Sequence, residues 1–241
     1  MRADEQDEDQ PNHPPTAVEV ARRALILSGV VCRAYLEAYK DEDYRRQTVA
    51  DLREWFDELS LWPHLEPDEK EILDAPLGAM HRSLYLHGTW YVEGLAILVW
   101  ALRRGDFPPH DQQVDPIAVT NAMDFLDPRA TALLSSPKLR RPTELEACRE
   151  WFYDVHCTLR GFLNHGGDGH LARWIGKFCK RLRLDQPSVM IDGGLAFEGE
   201  TLAEAERRRL QEWESVICER HRAAIWLVGE DVRYTEISVD T

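Results

Sequence analysis

The sequence has no apolar run long enough to cross a bilayer as a helix, no CxxC pair, and no apolar segment behind a basic start. Each absence excludes something. The two richest apolar stretches run from Ala24 to Cys32, bounded by Arg22, Arg23 and Arg33, and from Leu86 to Leu102, which contains Glu93. Both fall short of the ~20 residues that a spanning helix needs, and an internal charge is costly in lipid, so they read as core helices. The opening MRADEQDEDQPNHPP is acidic and proline-bearing, unlike a secretory signal. Five cysteines without a CxxC fit free thiols in a reducing cytoplasm better than a disulfide framework. Positive charge is in deficit: 29 basic side chains stand against 43 acidic, a net charge of -14. That balance argues against nucleic acid and anionic membranes, and it leaves a basic protein as the partner charge would favour. No glycine-rich phosphate loop and no metal-ligand signature stands beside any candidate residue, so no cofactor and no metal are expected.

What is present is helical periodicity. With 241 residues, 44% of them apolar, the chain can bury a substantial core. Residues 1–15 hold little that could be buried and read as a disordered acidic tail. From the N-cap candidate Thr16, apolar positions nearly encircle the axis as far as about Tyr39, the pattern of a helix inside a bundle. Further helices are predicted over about 44–59, from Pro67 until Pro76 stops it, over 79–104, 116–125 and 129–134, and from Pro142 to about Phe162. Thr143 and Glu146 resemble capping residues for the last of these. A basic amphipathic helix follows over 172–184, and a final long one over 202–228. Between those two, apolar runs flank Asp192-Gly193-Gly194 and predict a β-hairpin near residues 188–198. Residues 232–239 read as a closing extended segment. The expected architecture is a single, mainly α domain over 16–241, a helical bundle with a small β element.

Polar residues on apolar stripes are the candidate functional groups. Glu93 lies between Trp90 and Ile97 at helical spacing, and His221 lies between Ile217 and Ala224, with Glu219 and Arg220 on its flanks. A buried carboxylate must find a cation or take up a proton. Arg140, Arg141, Arg149, Arg160, Arg220 and His221 are the cations within reach of core helices. A semi-buried ionic cluster joining the helices of Glu93, Arg149 and Glu219 is therefore expected. It reads either as an acid–base site or as a network that fixes helix docking. The segment His165 to His170, HGGDGH, reads as a helix–helix turn rather than a metal site, and the adjacent His156 and Cys157 diverge on their helix.

Four segments carry a resemblance: ARRALILSGVVCRAYLE, WYVEGLAILVWAL, LRRPTELEACREWFYDVHCTLR and ERHRAAIWLVGED with its closing DT. In this order they are similar to the family known as domain of unknown function 4272, over about Thr16 to Thr241. The resemblance picks out Trp90, Glu93, Trp100, Ala101 and Leu102, then Leu139, Arg140 and Glu144, then Glu219, Arg220, His221 and Ala223, and finally Asp240 and Thr241. It departs from the family at Ile225, where an Asn is expected, and at Cys157, where a Trp is common. No activity follows from it, but it concentrates attention on Glu93, Arg140, Glu144, Glu219, Arg220 and His221. The leading expectation is a non-enzymatic binding or protein-interaction protein with an architectural ionic cluster. The alternative is a hydrolase or transferase with Glu93 and His221 as acid and base.

Overall fold

A computed structural model describes residues 13–166, 180–182, 189–229 and 233–239. Helix α1 (Ala17–Tyr35) starts where Thr16 accepts the Glu19 amide and the Glu19 carboxylate accepts the Thr16 amide, a reciprocal cap. It ends four residues before the expected Tyr39, and a short 3-10 turn, Leu36–Ala38, completes the segment. Helices α2 (Glu42–Glu58), α3 (Pro67–Asp74), α4 (Arg82–Ala101), α5 (Pro116–Ala122) and α6 (Ala130–Ser135) follow. α7 (Pro142–His165) begins at a proline, as anticipated, but the capping carboxylate is that of Glu144, which accepts the Arg141 amide at 3.2 Å. Strands β1 (Met190–Ile191), β2 (Gly194–Phe197) and β3 (Glu200–Thr201) form an antiparallel meander, and α8 (Arg207–Val228) closes the bundle.

α4 lies at the centre. It packs against α1 on one side and α8 on another, and α8 packs in turn against α7. Because neighbours surround it, α4 has no polar stripe: its buried residues run almost unbroken from Gly88 to Ala101, Glu93 included. One apolar core joins α1, α4, α7 and α8 with the side chains of β2, among them Leu195 and Phe197. Among the described residues no helix is long and apolar enough to cross a membrane, and their four cysteines, Cys32, Cys148, Cys157 and Cys218, are unpaired.

The hairpin lies where the sequence placed it. Met190 pairs with Leu195 and Ile191 with Gly194, leaving Asp192-Gly193 as a two-residue loop. Both loop residues have positive φ, 51° and 83°, the conformation that asks for Asp-Gly. The third strand was not anticipated; Glu198 and Gly199 repeat the same positive-φ turn ahead of it. The last helix starts at Arg207 rather than Leu202, because residues 202–205 form turns held by the Glu204 carboxylate on Thr201. Residues 233–239 form turns and irregular backbone rather than an extended strand. Of the segment expected to be a tail, residues 13–15 are described: Pro15 is buried, and the backbone of His13 and Pro14 lies against Gly229 at the end of α8. The rest of that tail, most of the basic helix expected over 172–184, and residues 167–170 of the HGGDGH segment lie outside the described residues.

Candidate functional site

Three consecutive ionisable residues of α8, Glu219, Arg220 and His221, are all buried. Successive helical residues turn by about 100°, so the three side chains leave α8 in different directions and enter different surroundings. Arg220 was expected on a flank; it is instead among the largest fully buried side chains of the protein, 0% exposed. Its Nε and Nη2 donate to Glu93 Oε2 at 2.9 and 2.7 Å, and Nη1 and Nη2 donate to the carbonyls of Pro109 and Gln112 at 2.5 and 2.6 Å. Glu93 Oε1 accepts the Val114 amide at 3.2 Å. The pair thus clamps α4, α8 and the 102–115 loop together. Burial pushes the Glu93 carboxyl above its ordinary range, and Arg220 pulls it back. Burial also pulls Arg220 down, but a guanidinium keeps its proton in proteins, so the pair is ionic. Nothing in this node is open to a substrate.

His221 points elsewhere. Its Nδ1 meets His156 Nδ1 of α7 at 3.2 Å, and it makes no hydrogen bond to Glu93. Burial is the main cause that lowers both imidazoles, His156 to about 4 and His221 to about 3; Arg160 adds to the first, His156 and Arg149 to the second. Both rings are neutral near pH 7, one donating its Nδ1 proton to the other's lone pair. Arg140 and Glu144 stand apart from these residues. Arg140 stacks over the Trp100 ring at 4.7 Å and donates to the Trp100 carbonyl at 2.8 Å and to Glu144 at 3.2 Å, beside a small cavity of about 200 Å³ that Phe107 and Asp106 also line. The six residues singled out by the sequence therefore fall into separate groups, and Arg149 pairs with Glu146 on its own helix.

Sequence reasoning missed a second ionic node. Arg23 of α1 bridges Glu66 and Glu69, each at 2.5 Å, and Glu66 also accepts the amides of Tyr234 and Thr235 at 3.0 and 2.6 Å. This node pins the C-terminal segment to α1 and α3. Glu69 had a sufficient reason in the sequence, as an acidic residue in the first turn of α3, and that reason concealed its burial.

Glu219, the third of the α8 trio, faces an opening. A cleft of about 500 Å³ lies between α7, α8, the start of the buried part of α4 and the C-terminal segment. Trp90 lines it from α4, His156 and Arg160 from α7, Glu214, Ser215, Cys218, Glu219 and Arg222 from α8, and Ile237, Ser238 and Val239 from the C-terminal segment. The α8 members repeat every three to four residues, so they form one stripe. Beneath this stripe the polar groups are poorly matched. Glu219 Oε2, Arg222 Nε and the hydroxyls of Tyr91 and Tyr234 are buried without a hydrogen-bond partner, and Glu219 Oε1 reaches Arg222 Nη2 only at 3.6 Å. Gly94 of α4 makes room for one of them, because a Cβ there would overlap the Tyr234 hydroxyl. Burial pushes the Glu219 carboxyl up, against the pull of Arg222, and the Tyr234 phenol well up. Native structures pair nearly all such groups with protein or water, so this concentration marks the place where an added molecule would gain most. Among the described residues no group of three His, Cys, Asp or Glu side chains has the arrangement to hold a metal ion.

Comparison with curated proteins and with solved structures returns no match. A family model does match, over residues 5–166, a span that ends with α7 and leaves α8 outside. Glu93 and the Arg140–Glu144 pair thus fall within the matched region, whereas Arg220, His221 and the α8 side of the cleft do not. Since this match covers well over half of its length, the chain belongs to the family described as domain of unknown function, DUF4272.

Proposed function

We propose that the protein is a non-catalytic binding protein, in which the Glu93–Arg220 pair is architecture and the cleft along α8 receives the ligand. One observation carries this reading. Arg220 donates to Glu93 and to two backbone carbonyls, and Glu93 accepts in addition the Val114 amide, in a node sealed from solvent. An acid–base pair needs a reachable proton, and this one has none to offer. The alternative, a hydrolase or transferase working through Glu93 and His221, would need both groups to reach one substrate; Glu93 is held by Arg220, and His221 is bonded to His156. The acidic balance of the chain favours a ligand or protein partner that carries positive charge. A cytoplasmic setting belongs to the same proposal, supported by the unpaired cysteines of the described residues.

The test is native mass spectrometry of the protein isolated from its own cells, followed by incubation of any retained small molecule with fresh protein. A retained compound recovered chemically unchanged fits a binding protein. Its conversion to a product, abolished by Glu93→Gln at a temperature where that variant is folded, would replace this reading with the enzymatic one.

A further inference from the structure

The unmatched groups in the cleft define what would fit there. Glu219 is 7% exposed and lines the cleft, yet one of its carboxylate oxygens has no partner. Arg222, three residues on, lines it too and has an unpartnered Nε–H. An unsatisfied acceptor and an unsatisfied donor therefore sit side by side, one negative and one positive. Each is the other's counter-charge, but at 3.6 Å between Arg222 Nη2 and Glu219 Oε1 they are not hydrogen-bonded to one another. Trp90, Ile237 and Val239 supply the apolar part of the lining, beside the polar His156, Arg160 and Glu214. A volume of about 500 Å³ is within the range of small-molecule sites.

We infer that the cleft binds a small zwitterion, an α-amino carboxylate with an apolar side chain. The ammonium would donate to Glu219, the carboxylate would accept from Arg222, and the side chain would lie between Trp90 and the Ile237–Val239 wall. Charge complementarity distinguishes this ligand from a simple amine or a simple acid. An amine would satisfy Glu219 and leave Arg222 beside an added cation; an acid would do the reverse. The inference rests on the binding reading above and narrows it to a ligand class.

The experiment is titration calorimetry of the full chain with L-phenylalanine and L-leucine, with their amides, which lack the carboxylate, and with their N-acetyl forms, which lack the ammonium. The free amino acid is expected to bind at least tenfold more tightly than either analogue. Glu219→Gln is expected to erase the preference over the N-acetyl form, and Arg222→Gln the preference over the amide, with circular dichroism confirming that each is folded. Saturation-transfer NMR on the unaltered protein gives a readout that needs no variant, with the side-chain protons of the ligand expected to receive the strongest transfer. Equal affinity for all three ligand forms, or no binding by any, would overturn the inference. Should the panel fail while protein from its own cells retains a different small molecule, the zwitterion falls and the binding reading stands; should nothing be retained either, both fall.

Discussion

Replacing Glu93 by Ala tests the buried pair where it is most exposed to measurement. The substitution removes the carboxylate that takes two of the Arg220 donors and the Val114 amide, while the carbonyls of Pro109 and Gln112 remain in place. Breaking a buried ion pair by deleting one partner costs about 3–5 kcal/mol, because the other charge is left uncompensated in low dielectric. The two remaining carbonyls moderate that cost, and the orphaned Val114 amide adds to it, so about 3–4 kcal/mol is expected. For a chain of this size that is a fall in Tm of roughly 6–16 °C. Urea unfolding followed by tryptophan fluorescence, beside calorimetry, reads both quantities. The double variant Glu93→Met with Arg220→Met should recover much of the loss, since replacing a whole buried pair by apolar groups of similar volume is often neutral. A Tm within 2 °C of wild type for Glu93→Ala, or a double variant no better than the single one, would refute the argument that the pair clamps the helices.

Other outcomes follow from the same geometry. Burial favours the neutral form of both rings in the His156–His221 contact, and lowers them below the ordinary imidazole value, to about 4 and about 3. The stability they confer is therefore complete above about pH 6.5 and is lost as pH falls toward 3–4, on the order of a few kcal/mol; His221→Leu should flatten the difference between unfolding curves at pH 7.5 and 4.5. Gly94→Ala should destabilise by about 1–3 kcal/mol through overlap with the Tyr234 hydroxyl, and Tyr234→Phe in the same chain should restore stability; failure of that rescue in thermal melts would show that the contact is not the cause. Tyr234→Phe alone should cost almost nothing, since its hydroxyl has no partner. Glu66→Gln should speed hydrogen exchange at the amides of Tyr234 and Thr235 well beyond its effect on α1, because Glu66 accepts both.

Local chemistry made the helices and the hairpin legible. Thr16 with Glu19, the prolines at 67, 116 and 142, and Asp192-Gly193 act within a few residues of themselves, and their elements form where they point. β3 escaped notice because two residues, Glu200–Thr201, carry no periodicity. The same limit governs the site. Spacing identified Glu93 as buried and supplied Arg220 among its possible cations. Stripe spacing assigns one face of α8 to the core, whereas α4, α7 and the 102–115 loop bury most of its second half, from Val216 on. Glu219, Arg220 and His221 consequently looked like one cluster, although each faces a different neighbour. Glu214, Cys218 and Arg222 carry no signal of a cleft in the sequence, because the elements that enclose them come from α4, α7 and the C-terminal segment, remote in sequence.

The division of labour between two buried carboxylates, one on α4 and one on α8, is open to one direct comparison: the melting temperatures of Glu93→Gln and Glu219→Gln, recorded side by side at pH 7. Glu93 is matched by Arg220 and should melt lower when neutralised, whereas Glu219 is buried with an unpartnered oxygen and should melt unchanged or higher. Equal losses in both, or a loss confined to Glu219→Gln, would contradict the assignment of one carboxylate to the frame and the other to the ligand.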